Sequence, residues 1–330
     1  MAKAKARAKG RAGPRRTVDK RSAAHLATQR RLRHTKLRDV GITKTTLKRY
    51  KVCVLTMLWW WQCTSWCPSG WDDMDNGMCD FIEMCWAELE PYYVALNAVV
   101  GASHFFPRLK GNVPQAKALL DRWKAKMPPA RSTPFTSKIV LACAGAAWAI
   151  GCHDIAVLLL LGFDTFLRSG ELFKLSKRNC LIAANKVVIN ILDSKMGLRL
   201  NRPEVVVCQG LAAQLLKAYL STLQPGDALL RRSPYKARQV LSYILEALEL
   251  SSYGFTWYSL RRGGATTHFV ANGNIEQTLE KGRWASTRSA RAYITRAVAE
   301  TVTLSLGPHH DELFAYCIRQ LPLQHERLHQ

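Results

Sequence analysis

The sequence predicts a mainly α-helical protein with a small β-hairpin or sheet, divided into two domains. Three observations carry this expectation. Apolar residues recur at helical spacing along much of the chain. Two runs, KVVINIL (186–192) and EVVVC (204–208), are β-branched enough for strands, and a turn-like DSKMG (193–197) follows the first. Between the helical halves lies MPPARSTPFT (127–136), whose three prolines disfavour helix and leave the chain extended.

Residues 1–50 lack hydrophobic periodicity, and KAKARAKGRAGPRR is almost wholly Ala, Gly and basic residues. The expectation is a largely disordered basic arm. From Val52 a tryptophan-rich stretch, VCVLTMLWWWQCTSWCPSGW, opens the next region, and six of the ten tryptophans fall between Trp59 and Trp86. Three readings stand: rings that stack on bases, an apolar patch covered by a partner, or translated sequence foreign to the protein. Residues 72–126 read as helices, at DFIEMCWAELE (80–90), at 91–105, and at PQAKALLDRWKAK with Pro114 in its first turn. Gly111 and Asn112 break the pattern between the last two.

Beyond the linker, Ser137 is placed to cap a helix over 138–150. Asp154 is placed to cap the next, IAVLLLLGFDTFL, which is apolar nearly all round and therefore buried. The strands follow, then helices at 211–221 and 235–250. Three more helices are expected: one starting after Leu260, one near 275–281, and one near 287–302 that carries Tyr293. Gly307 and Pro308 end the last, and 311–323 forms a final helix. The divisions are an arm (1–50), a small helical domain (51–126), a linker (127–136), a larger domain (137–306) and a tail (307–330).

The formal net charge is +24. Residues 1–51 hold 18 Lys and Arg against Asp19 and Asp39, so +16 lies there and the body stays basic. A polyanionic partner follows, most simply nucleic acid. The arm reads as a nuclear-import signal, a nucleic-acid arm, or both. A mitochondrial presequence is the rival, and scarce serine and the lack of an apolar face argue against it. The run Val52–Trp61 is too short to span a bilayer, and no apolar run follows the basic start. The expected location is the nucleus of a eukaryotic cell, or otherwise the cytoplasm.

Ten cysteines in 330 residues are too sparse for a disulfide framework. Cys63, Cys67, Cys79 and Cys85 are closest together, in the spacing C-x3-C-x11-C-x5-C without paired histidines, and the expectation is no metal site. A P-loop, a Rossmann glycine pattern and an HExxH motif are all absent, which sets aside ATP-driven enzymes and common zinc hydrolases.

The stretch Thr256–Ile294 carries Arg261, Arg262, Arg283, Arg288 and Arg291 with Tyr258, Trp284 and Tyr293, against two acids, Glu276 and Glu280. Guanidinium groups offer planar, permanently charged donors to phosphate oxygens, and a deprotonated phenol can attack phosphorus. Upstream, LRSGEL holds Arg168 three residues before Glu171, and Lys195 stands in the predicted turn. Gly263, Gly264 and Ala265 behind Arg261 allow close approach of another element.

In this order the patches resemble the catalytic domain of the tyrosine recombinases, the phage integrase family, over about residues 135–300. Arg168 with Glu171, Lys195 in a hairpin, Arg261 of YSLR, Trp284 of GRW and Tyr293 of AYI match the family's sequence of motifs, with 23 residues from Arg261 to Trp284 and 9 from Trp284 to Tyr293. Tyr258 stands where the family usually has histidine. The resemblance implies a small helical core-binding domain ahead of the catalytic one. Within 107–136, PRLKGNVPQAKALLDRWKAKMPPARSTPFT resembles eukaryotic members from DIRS-like retroelements and related integrase-like genes, which makes a mobile element the implied source.

The resemblance also implies a reaction without metal, cofactor or ATP. Tyr293 attacks a DNA phosphodiester, forming a 3′-phosphotyrosine and freeing a 5′-hydroxyl that another strand later uses to reseal the backbone. Arg168 and Arg261 neutralise the phosphate, Lys195 protonates the leaving oxygen, and Trp284 donates its indole N–H or packs the site. Glu171 supports Arg168. Tyr258 is expected to slow the chemistry, or to mark a decayed copy. Arg262, Arg283, Arg288 and Arg291 are candidate contacts to the DNA backbone. The implied assembly is a homotetramer on double-stranded DNA. Two rivals remain at this point: a type IB topoisomerase-like relaxation activity, and a DNA-binding remnant that keeps only the fold.

Overall fold

A computed structural model describes residues 42–128, 131–191 and 204–322. Expectations for the arm before residue 42 and for Lys195 lie outside the described residues. The chain divides into two compact units, with the boundary between Pro129 and Ala130.

The first unit is helical: α1 (Lys44–Cys63), α2 (Trp71–Ala87), α3 (Tyr92–Phe105) and α4 (Pro114–Lys126). Helix α1 starts inside what the sequence marks as the arm. Thr43 caps it, its Oγ1 accepting from the Thr46 N–H at 3.1 Å, and that local bond outweighs the weak periodicity there. Pro114 does open α4, and the helix begins on Val113, which has no capping side chain. The free N–H groups of Gln115 and Ala116 are instead taken by the buried Asp75 carboxylate of α2, each at 2.9 Å.

Trp60, Trp61 and Trp66 pack in this unit's core. Trp61 is buried and its indole N–H donates to the Gly77 carbonyl at 3.0 Å. The Trp66 ring lies against Gly77 so closely that a Cβ there would sit 2.3 Å from it. Trp60 meets Phe81 edge-on, with centroids 5.9 Å apart. Trp59 and Trp71 remain exposed.

The second unit starts with α5 (Ser137–Ala149), α6 (His153–Thr165) and the single turn α7 (Ser169–Leu172). Thr136, one residue earlier than expected, caps α5. Asp154 does not cap α6; it lies in the first turn, buried, and holds the Arg231 N–H and the Arg232 Nε at 3.0 Å each. Helix α6 is apolar all round because α5, α8 and α10 surround it.

Three antiparallel strands follow in the order β1 (Cys180–Ile182), β2 (Lys186–Ile191) and β3 (Glu204–Gln209). The sequence misses β1, which is only three residues long. Val187 pairs with Cys208 and Ile189 with Val206, and this register puts all four on the buried face. Then come α8 (Gly210–Ser221), α9 (Pro234–Ala247), α10 (Trp257–Asn272), α11 (Ile275–Gly282), α12 (Thr287–Arg291), α13 (Arg296–Ser305) and α14 (Pro308–Arg319).

Two corrections bear on the site. Helix α10 begins at Trp257 rather than after Leu260. Thr256 caps it, accepting from the Tyr258 N–H at 3.2 Å and donating its own N–H to Ser259 Oγ at 2.9 Å. Tyr258 and Arg261 therefore sit three residues apart on one helix. The expected helix over 287–302 is two helices, and Tyr293 lies on the turn between them.

Helix α14 is seated on α5 of its own unit. Phe314 is fully buried there, and Gly145 leaves just enough room for the Cys317 carbonyl. Among the described residues no helix is long and apolar enough to cross a membrane.

Candidate active site

Arg261 is the centre of the site and is wholly buried. The chain comes close to it because α10 is stripped of side chains on that side. A Cβ at Gly263 would lie 2.1 Å from the Phe135 carbonyl oxygen, and one at Gly264 would lie 2.0 Å from that of Phe163. Helix α6 ends with Phe166 in the left-handed conformation, and its carbonyl accepts from Arg261 Nη1. Nη2 donates to the Gly282 carbonyl at 2.7 Å, just before Arg283 ends α11 in a second left-handed turn. Two helix C-termini thus present carbonyls to one guanidinium, a favourable use of their dipoles. Burial, then the charge of Arg168, pushes the Arg261 pKa down to about 10, so it stays charged at neutral pH.

Aromatic rings cover the other side of this cation. The Trp284 ring lies 4.6 Å and the Tyr293 ring 5.3 Å from the guanidinium carbon. The two rings are 4.8 Å apart. Gly282 is required here, because a Cβ would strike the Trp284 ring at 1.9 Å. The Trp284 indole N–H is buried and has no hydrogen-bond partner among the described residues.

Thr266 fixes the turn that carries Tyr293. Its hydroxyl donates to the Tyr293 carbonyl at 3.2 Å and accepts from the Thr295 N–H at 3.1 Å. Those bonds take backbone groups that a continuous helix would use, which is why the predicted helix is broken. The Tyr293 hydroxyl is hydrogen-bonded to that of Tyr258. Tyr258 is pushed up to about 12 by burial first, then by the bond to Tyr293 and its charge, against the opposing pull of Arg261 and Arg168.

Arg168 precedes α7 and is held by Glu171. Its Nη1 donates to Glu171 Oε1 at 2.6 Å and its backbone N–H to Oε2 at 3.0 Å. Arg283 joins the same carboxylate, Nη2 to Oε2 at 2.7 Å, and reaches Glu204 at the start of β3 with Nη1 at 2.5 Å. Burial works against the Glu171 carboxylate. The charge and hydrogen bond of Arg283, and the bonds from Arg168, outweigh it and hold the carboxyl below its ordinary range.

The structure brings together Arg168, Glu171, Tyr258, Arg261, Trp284 and Tyr293. Arg283, expected to reach toward DNA, has both ends of its guanidinium on carboxylates. Arg262 is buried, and burial followed by the charge of Arg131 lowers its pKa. Arg288 and Arg291 are exposed on α12, on either side of the buried Ala290. Thr266, Phe166 and Glu204 were missed by sequence reasoning. Phe166 acts through backbone conformation, which leaves no side-chain signature, and the Thr266 hydroxyl acts on a turn far along the chain. Glu204 reads only as the first residue of a strand.

No protein-family model matches the chain, and no curated protein matches it in sequence. Solved structures do match in fold. A lambda integrase(75-356) dimer bound to a COC' core site superposes with a TM-score of 0.56 at 15% identity, over 82% of this chain and 94% of that one. A second lambda integrase dimer on a COC' core site gives 0.55 at 14% identity, over 82% of this chain and 76% of that one. The XerH site-specific recombinase bound to difH substrate matches with a TM-score of 0.43 at 13% identity, over 70% of this chain and 78% of that one. The chain has the fold of the tyrosine recombinases.

Proposed function

We propose that this protein is a site-specific DNA recombinase that breaks and rejoins strands through Tyr293. One observation carries the reading most: a partly exposed phenol lies directly on a buried, doubly anchored guanidinium, with a second arginine, Arg168, close enough to act on the same group. Ring packing over the cation is itself worth about 2 kcal/mol, but taking a guanidinium out of water costs several. A nucleophile that must meet a phosphodiester needs that charge in place beforehand.

In the proposed step, Tyr293 Oη gives up its proton to water and attacks phosphorus. The bond to the 5′-oxygen breaks, the 3′-phosphate stays on the tyrosine, and the leaving 5′-oxygen takes a proton from Lys195. Attack by a 5′-hydroxyl reverses the step, so no net bond energy is lost and no external energy source is needed. Arg261 has two N–H groups on carbonyls and three remaining. It is fully covered in this state, so the Tyr293 ring shifts as the phosphate seats. Arg283 and Glu171 hold Arg168 in place, while Arg288 and Arg291 supply backbone contacts on α12. The lambda integrase structures of similar fold are dimers on DNA. Double-stranded DNA is the proposed partner, with a tetramer as the exchanging assembly.

The test is a denaturant-resistant protein–DNA adduct on nicked suicide duplexes cut from the ends of the element that encodes the chain. The proposal expects an adduct with the parent and none with Tyr293→Phe. If the parent forms no adduct on any true element end, and Tyr293→Phe binds DNA equally well, the protein is a binding remnant. Relaxation of supercoiled DNA without strand exchange would make it topoisomerase-like.

A further inference from the structure

We infer that Tyr258 is a positioning residue for the nucleophile: its hydroxyl keeps its own proton and donates to the Tyr293 oxygen, preparing that oxygen to carry negative charge. The inference rests on the proposed role of Tyr293. Its physical basis is the free protein's geometry.

Either hydroxyl could donate in the observed bond, and the surroundings decide which one does. Tyr258 sits in the first turn of α10 and Tyr293 on the turn after α12, so the pair bridges two elements. Among the described residues the charged groups facing it are Arg261 and Arg262 on α10 and Arg168 ahead of α7. Glu171 bears on Arg261 and is itself paired with Arg168 and Arg283. Surrounded by cations, the pair can lose one proton readily, but two phenolates in contact repel. Tyr258 resists ionisation up to about 12. The Tyr293 ring lies over the buried Arg261 guanidinium, which favours negative charge on Tyr293 and leaves Tyr258 as the donor. A hydrogen bond to an ionised acceptor is about twice as strong as one between neutral groups.

This gives the tyrosine at 258 a function of its own. An imidazole at this place could both donate and exchange a proton near neutrality. A phenol held neutral donates only, and it acts on the attacking oxygen before DNA arrives.

The experiment is an ultraviolet difference titration of tyrosinate on the full chain, comparing the parent with Tyr258→Phe, Tyr293→Phe and the double variant. Subtracting each Tyr293→Phe curve from its partner isolates the site from the other tyrosines. The inference expects the site's first ionisation to move to higher pH by at least about one unit, a tenfold change in the ionised fraction, when Tyr258 becomes Phe. Tyr258→His, which restores a donor, should recover part of that shift. Tyr258 is 40% exposed, so the loss of its hydroxyl leaves the core untouched, and a thermal melt checks this. An unchanged first ionisation in Tyr258→Phe overturns the inference. In the DNA assay, Tyr258→Phe should slow adduct formation at least about tenfold near neutrality and approach the parent rate as pH rises. A uniform slowing at every pH also overturns it. Should the parent form no adduct at all, the recombinase reading falls while the titration still decides the pairing.

Discussion

Replacing Glu171 with Gln tests how Arg168 is held. The carboxylate accepts three bonds, two from Arg168 and one from Arg283, and only 7% of its side chain is exposed. Gln keeps one carbonyl oxygen and turns an NH2 toward an arginine. The substitution therefore removes the charge and at least one charge-assisted bond, each worth about 1.5–3 kcal/mol. The Arg283 side of the pair dominates, because that arginine is 10% exposed while Arg168 is 32% exposed. Exposed pairs return little. A loss of about 2–4 kcal/mol follows, less than the full ~3–5 kcal/mol for breaking a buried pair because Glu204 still holds Arg283.

The assay is urea unfolding of the full chain, followed by a probe of the second unit such as Trp257 or Trp284 fluorescence. The sign with pH is also fixed. The folded carboxyl lies below its unfolded value of 4.5, so its stabilisation is complete above that pH and is lost as pH falls through the folded value. The difference between parent and Glu171→Gln should therefore shrink in acid. A loss under about 0.5 kcal/mol at neutral pH, the size of an ordinary surface change, would refute the reasoning, as would a difference independent of pH.

Three further outcomes are expected. Thr266→Val removes both bonds that shape the Tyr293 turn, and should cost about 1–3 kcal/mol in denaturant unfolding while slowing adduct formation. Gly145→Ala puts a Cβ 1.9 Å from the Cys317 carbonyl oxygen, so α14 should lift from α5 and protease should cut near residue 307 sooner than in the parent. DNA affinity should fall steeply with salt, and deleting residues 1–22, which hold nine Lys and Arg, should flatten that slope. An unchanged slope would deny the arm a role on DNA.

The sequence reveals this fold where side chains follow a period. The all-apolar α6, the β-branched runs of β2 and β3 and the start of α4 at Pro114 are all visible in it. It is least informative where backbone conformation decides. Phe166 and Arg283 take the left-handed form that turns carbonyls toward Arg261, and neither is the glycine or asparagine that would announce such a turn. The break at Tyr293 depends on Thr266, which lies 27 residues earlier. Arg283 shows the same limit for charge. In sequence it is one of several arginines near Tyr293, whereas in the fold it is tied to Glu171 and Glu204. Tyr258 stood out only as a departure from a histidine, and its contact with Tyr293 depends on where α10 begins.

The residue that carries DNA tests the central claim most directly. The covalent adduct should be trapped on a suicide duplex, treated with nuclease and trypsin, and sequenced by mass spectrometry. Cleavage after Arg291 and Arg296 isolates Ala292–Arg296 with Tyr293 as its one tyrosine, while Tyr258 falls in the separate peptide 239–261. The account predicts the nucleotide remnant on Tyr293, esterified through a 3′-phosphate. A remnant on Tyr258 or any other residue, one linked through a 5′-phosphate, or no adduct on any true element end would contradict it.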